Sequence, residues 1–77
     1  MNFVIWKLVN DKYISPEIIQ AYNAYEACLK YCIKNPLNDN VILKVMPLDD
    51  GGVIYEYEIK LEKHYEVNFK SQSCIQK

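Results

Sequence analysis

The sequence predicts a small α+β domain, an antiparallel sheet of four to five strands with one packed helix, in the order ββαββ. Residues 53–61 (VIYEYEIKL) alternate between apolar and mostly acidic side chains, as in a strand with one face buried and one face in water. Residues 24–34 fit a helix that ends before Asn35-Pro36, because the residue before a proline disfavours helical geometry. The 77 residues suffice for one domain, placed at residues 1–70, with residues 71–77 as a flexible tail.

The first strand is predicted at residues 3–9 (FVIWKLV), a run of apolar side chains with a single lysine. Its β-branched and aromatic content is typical of a strand that is covered on both faces, which places it in the interior of the sheet. Asn10-Asp11 then predicts a turn, since both residue types favour turn conformations.

Two interpretations are open for the segment that follows. Ser15-Pro16 could begin a helix, with Ser15 as the N-cap and the proline in the first helical position. Alternatively, residues 13–22 form a second strand and the helix begins after Asn23, which has capping-box spacing to Glu26. We favour the second interpretation.

A hairpin is predicted around the turn sequence DDGG at residues 49–52. A three-residue loop pairs Lys44 with Glu56 and Leu43 with Tyr57, which matches charge with charge and apolar with apolar. An even-length loop would mix the two classes.

Beyond residue 61 the apolar alternation resumes at Tyr65, Val67 and Phe69 after a charged break. This pattern fits either a bend in one long strand or a short fifth strand.

The composition disfavours several functions. The chain has no arginine, the main residue for bidentate recognition of phosphate and guanine, so nucleic-acid binding would depend on scattered lysines. Three cysteines without a disulfide pattern suggest reduced thiols and a cytoplasmic protein. No signal peptide and no apolar run long enough for a membrane span is evident, so no membrane association is expected.

No catalytic, cofactor or metal site is predicted, and we do not expect an enzyme. Cys28 and Cys32 share one helix face, but a metal site would need His64 and Cys74 as well, so packing against the sheet is the simpler interpretation. His64 is the only histidine, and no serine or cysteine lies in a recognisable nucleophile motif.

A single helix can cover only one face of the sheet, yet apolar residues fall on both faces of the strands. Such residues, with tyrosines and an acidic row beside them, are typical of a protein interface. The predicted partner-binding residues are Ile42, Met46, Ile54, Tyr55, Glu56, Tyr57, Glu58 and Glu62.

Residues 16–27 (PEIIQAYNAYEA) resemble a pattern found in small phage and prophage proteins, in which a strand ends in alanine, Asn or Ser caps, and a short helix begins with Glu-Ala. The resemblance implies a strand followed by a helix. It also implies a phage accessory protein, of the anti-CRISPR or anti-defence type.

The functional expectation is therefore a non-enzymatic protein-binding module that occludes a host protein with a basic surface, through an acidic, tyrosine-rich face of the sheet. The alternatives are a self-associating homodimer and, third, a nucleic-acid binder. The lysines that would serve the third alternative are Lys7, Lys12, Lys30 and Lys34.

Overall fold

The computed structural model describes residues 1–50, 52–61 and 65–74. Across these residues the chain forms a five-stranded antiparallel sheet with one α-helix, which confirms the α+β class. The strands lie in the order β2-β1-β3-β4-β5. The elements are β1 (Asn2–Val9), β2 (Lys12–Gln20), α1 (Ala24–Lys34), β3 (Val41–Pro47), a short 3-10 turn (Leu48–Asp50), β4 (Val53–Leu61) and β5 (Tyr65–Cys74).

The first two strands are joined by the predicted turn at Asn10 and Asp11, whose φ angles of 51° and 63° are left-handed. Asparagine and aspartate tolerate this conformation better than other non-glycine residues. β1 lies between β2 and β3, as expected for an interior strand, whereas β2 is an edge. Its pairing with β1 shifts register near Ser15, which has a φ of 53° and precedes Pro16.

The helix begins where the second interpretation of the sequence predicted. Asn23 is the N-cap, and its Oδ1 accepts a hydrogen bond of 2.8 Å from the Glu26 backbone N–H. The Glu26 side chain accepts in turn from the backbone N–H of Tyr22 at 3.1 Å, one residue before the cap. These contacts satisfy N–H groups that have no partner inside the helix. At the other end, the Asn35 N–H donates to the Tyr31 carbonyl at 2.8 Å.

The register of the β3–β4 hairpin is also confirmed. Leu43 lies opposite Tyr57 and Lys44 lies opposite Glu56. The side-chain pattern was therefore sufficient to fix how these two strands pair, because a shift of one residue would turn every side chain to the other face.

The order of elements differs from the predicted ββαββ, because residues 65–74 form a separate fifth strand paired with β4. Residues 71–74 belong to this strand and not to a flexible tail, so the boundary expected at residue 70 falls inside β5. Their sequence, SQSC, has no apolar alternation and is exposed, so backbone pairing alone indicates the strand. Residues 75–77 lie outside the described part of the chain.

The core lies between α1 and one face of the sheet. Phe3 and Ile5 on β1 are 2% and 0% exposed, and Leu43 and Val45 on β3 are both fully buried. α1 contributes small side chains and one large one, Tyr31, whose hydroxyl donates to the Ser15 carbonyl at 3.1 Å. The helix therefore packs against one face of the sheet. The opposite face, called the open face below, has no covering element among the described residues.

Candidate functional site

The open face of the sheet is the candidate functional site, and β1 supplies one of its apolar strips. Because successive side chains of a strand point to opposite faces, burial of Phe3 and Ile5 under α1 directs Val4 and Trp6 to the open face. Ile18 on β2 is directly opposite Val4 and joins the same face.

β3 and β4 add the apolar residues that the sequence predicted for this face. Leu43 and Val45 are buried under α1, so Ile42 and Met46 lie on the open face, both half-buried. Ile54 lies on the same side of β4 and is also half-buried. The structure therefore brings together the three predicted apolar residues, along with the charged residues that alternate with them on these strands.

Three aromatic and apolar residues of this face were not singled out from the sequence, namely Trp6, Tyr13 and Ile18. Trp6 and Tyr13 line a shallow concavity of about 340 Å³, together with Lys44 and Ile54. The concavity crosses four neighbouring strands, β2, β1, β3 and β4. Locating it required the strand order, because the β1–β2 and β3–β4 hairpins that carry these residues are about thirty residues apart in the sequence and no local pattern connects them.

The charged side chains of the open face are largely arranged in opposite-charge pairs. The Lys44 Nζ lies 2.6 Å from Oε1 of Glu56, and the two side chains are only 20% and 21% exposed. Lys60 lies directly opposite Glu66 in the β4–β5 pairing. Glu58 is instead opposite Asn68 and Ile42, both of them uncharged. Of the two described acids of β4, Glu56 is therefore paired, and Glu58 is the one whose neighbours across the sheet carry no charge.

Two predicted contact residues, Tyr55 and Tyr57, lie on the helix side of the sheet instead of the open face. Tyr57 is 9% exposed and packs edge-to-face on Phe69, with ring centroids 5.6 Å apart. Burial raises the pKa of its phenol. Tyr55 is half-buried against the core and lines a separate groove beside the start of α1. Burial leaves Tyr57 little surface to offer a partner. Glu62, also predicted, lies outside the described residues.

The cysteines of α1 are packing residues, as the sequence suggested. Cys28 and Cys32 are fully buried, and desolvation raises the pKa of their thiols to about 12 and about 11. Metal binding and nucleophilic attack require the thiolate, which burial disfavours here. Within the described part of the chain, no three His, Cys, Asp or Glu side chains are placed to share a metal ion.

Comparison of this chain with models of protein families, with curated proteins and with solved structures found no match. Among the residues that the structure describes, no helix has the length and apolar character needed to cross a membrane. The open face, with its aromatic concavity and its ion pair, is therefore the feature from which function has to be inferred.

Proposed function

We propose that this protein is a non-enzymatic protein-binding module whose interface is the open face of its sheet. The observation that carries the proposal is the concentration of apolar and aromatic side chains on a face that α1 does not cover. Its principal members are Val4, Trp6, Ile18, Ile42, Met46 and Ile54. Large exposed apolar patches on small proteins commonly mark sites of protein interaction.

The concavity lined by Trp6 and Tyr13 supplies a centre for such an interface. Binding energy usually concentrates in a few residues near the middle of an interface, where tryptophan and tyrosine are enriched. Removing apolar surface from water contributes about 25 cal/mol per Å² to the free energy of binding. The half-buried residues around the concavity still expose apolar surface that a partner could cover. We therefore expect a partner to insert an apolar side chain between Trp6 and Ile54.

The charge pattern refines the kind of partner. Glu56 already has a cation at 2.6 Å, so an attraction for basic surfaces falls mainly on Glu58. We propose a partner that presents an apolar patch, polar groups that contact the Lys44–Glu56 pair, and a lysine or arginine opposite Glu58. Such a contact with Glu58 would mainly raise the association rate.

The finer form of this proposal is an inhibitor in the cytoplasm that occludes a host protein, of the phage accessory type that residues 16–27 resemble. Occlusion needs only a rigid face of the right shape, which a sheet backed by a packed helix provides. Direct nucleic-acid binding is less well supported, because Lys30 and Lys34 are within ion-pair distance of Glu26 and Glu17.

A photo-crosslinking experiment tests the proposal with a matched control. Ile18 on the open face is 65% exposed and Ile33 on α1 is 75% exposed, so a photoreactive residue at either position should be tolerated. In a bacterial lysate, position 18 should capture a discrete protein and position 33 should not, with and without nuclease. Equal capture at both positions would overturn the proposed interface, and capture that nuclease abolishes would favour nucleic-acid binding.

Ile18→Lys then provides the functional variant and Ile33→Lys its control. Both replace an exposed isoleucine by a lysine and should leave folding intact. Ile18→Lys should weaken binding of the captured partner by at least tenfold, because a charge replaces apolar contact at the interface. Binding that is equally sensitive to both substitutions would point to a different surface.

A further inference from the structure

We propose that, when no other partner is bound, a second copy of this chain covers the open face from β1 to β5. The result is a two-fold symmetric dimer with the two sheets inside and the two helices outside. This inference rests on the proposed function, because it names an occupant of the same face. It also supplies regulation, since any other partner must displace the second copy.

The ion pair between Lys44 and Glu56 is the first reason to choose a second copy. Lys44 lies on β3, the third of the five strands, so the pair is near the middle of the open face. A fifth of each side chain is still exposed to water. A purely apolar partner would remove that water without offering the ammonium and carboxylate groups a hydrogen bond in its place, which is unfavourable for buried charges. The occupant should therefore bring charges of its own to the centre of the interface.

A two-fold related copy supplies these charges in the required positions. Lys44 and Glu56 face each other on adjacent strands, at the same height along the sheet. A two-fold axis that runs along the strands between β3 and β4 places each Lys44 over the Glu56 of the second copy. The four charges then alternate around a square, and each has two neighbours of opposite sign. The same rotation sets Met46 of each copy near Ile54 of the other, so apolar contacts lie beside the charges.

The size of the face agrees with a reversible dimer. An axis between β3 and β4 overlaps β1, β3, β4 and β5 of the two copies. With strands about 4.8 Å apart and a rise of about 3.3 Å per residue, these four strands give a face on the order of 400 Å². Two such faces together bury on the order of 800 Å², in the range of weak, transient interfaces. Sheets that pack face to face in this way also adopt a common aligned arrangement. We expect a dimer that dissociates in the micromolar range, weak enough for another partner to displace it.

Sedimentation velocity over a wide range of protein concentration tests the dimer. The wild-type chain should shift from monomer to dimer mass as concentration rises. Lys44→Glu and Glu56→Lys should each shift the dissociation constant at least tenfold towards monomer, because like charges then face each other across the interface. Mixing the two variants should restore a heterodimer, and the double variant Lys44→Glu/Glu56→Lys should restore the homodimer.

Lys30→Glu is the matched control, since it changes the net charge as Lys44→Glu does but lies on α1. It should sediment like the wild type, and circular dichroism should show that all variants are folded. Wild-type protein that stays monomeric at every concentration would overturn the dimer. A dimer that the charge variants and their mixture do not affect would overturn this interface. The proposed function is judged separately, by capture of a different protein at position 18.

Discussion

At the scale of single residues, burial decides which reactive side chains can act. Cys28 and Cys32 are covered completely by the sheet, whereas Cys74 at the end of β5 is exposed. The sequence indicated that the helical cysteines share a face, because four residues make about one helical turn. Their burial follows from what that face is packed against, which the spacing alone could not determine.

We predict that native protein reacts with a thiol reagent at one cysteine per chain, Cys74. Desolvation raises the pKa of the Cys28 and Cys32 thiols, so the reactive thiolate is scarce at neutral pH, and packing also blocks access. A chromogenic disulfide reagent at mildly alkaline pH should show one fast equivalent, and all three in denaturant. The variant Cys74→Ser should lose the fast equivalent. Fast reaction of a second thiol in that variant would contradict the burial of the helical cysteines.

Tyr57 is a residue whose role could not be predicted from its type and position in the sequence. The alternation in β4 correctly placed its tyrosines and its glutamates on opposite faces of the sheet. It did not show which face packs in the core and which could contact a partner. Tyr57 was predicted to contact a partner, yet it packs edge-to-face against Phe69 and lies in the core. Tyrosine is common both in cores and at interfaces, so its identity could not decide between these roles.

At the scale of elements, the start of α1 depends on one side chain. Asn23 accepts from the Glu26 N–H at 2.8 Å, and no residue inside the helix could satisfy this donor. We predict that Asn23→Ala lowers the free energy of unfolding by about 1 kcal/mol, whereas Asn23→Asp changes it little. Urea denaturation at one protein concentration measures both. An alanine variant as stable as the wild type would mean that the cap contributes nothing.

The elements that could be predicted are those set by local chemistry. Residues close together in the sequence determine the cap at Asn23 and the turn at Asn10 and Asp11. The register of β3 and β4 follows from matching Lys44 with Glu56. The rest depends on contacts between distant segments. The pairing of β1 with β3 joins strands more than thirty residues apart, and residues 71–74 are a strand only because β4 provides a backbone to pair with.

At the scale of the whole molecule, the described residues form five strands and one helix, and no element among them covers the apolar side chains of the open face. α1 contacts β1, β2, β3 and β5, all on one face of the sheet, so it provides no cover for the open face. A chain of this length also has a small core with limited stability. Covering the open face by association would therefore supply stability that the monomer lacks.

The dimer makes stability depend on protein concentration, because anything that binds only the folded state raises its apparent stability. Above the dissociation constant, each tenfold increase in concentration adds about 1.4 kcal/mol per mole of dimer. For a domain of this size, we expect the Tm to rise by roughly 3–6 °C per tenfold increase. Calorimetry over a concentration series measures this slope. Lys44→Glu should have a flat Tm and Lys30→Glu the wild-type slope, whereas a flat wild-type series would mean that the open face stays uncovered.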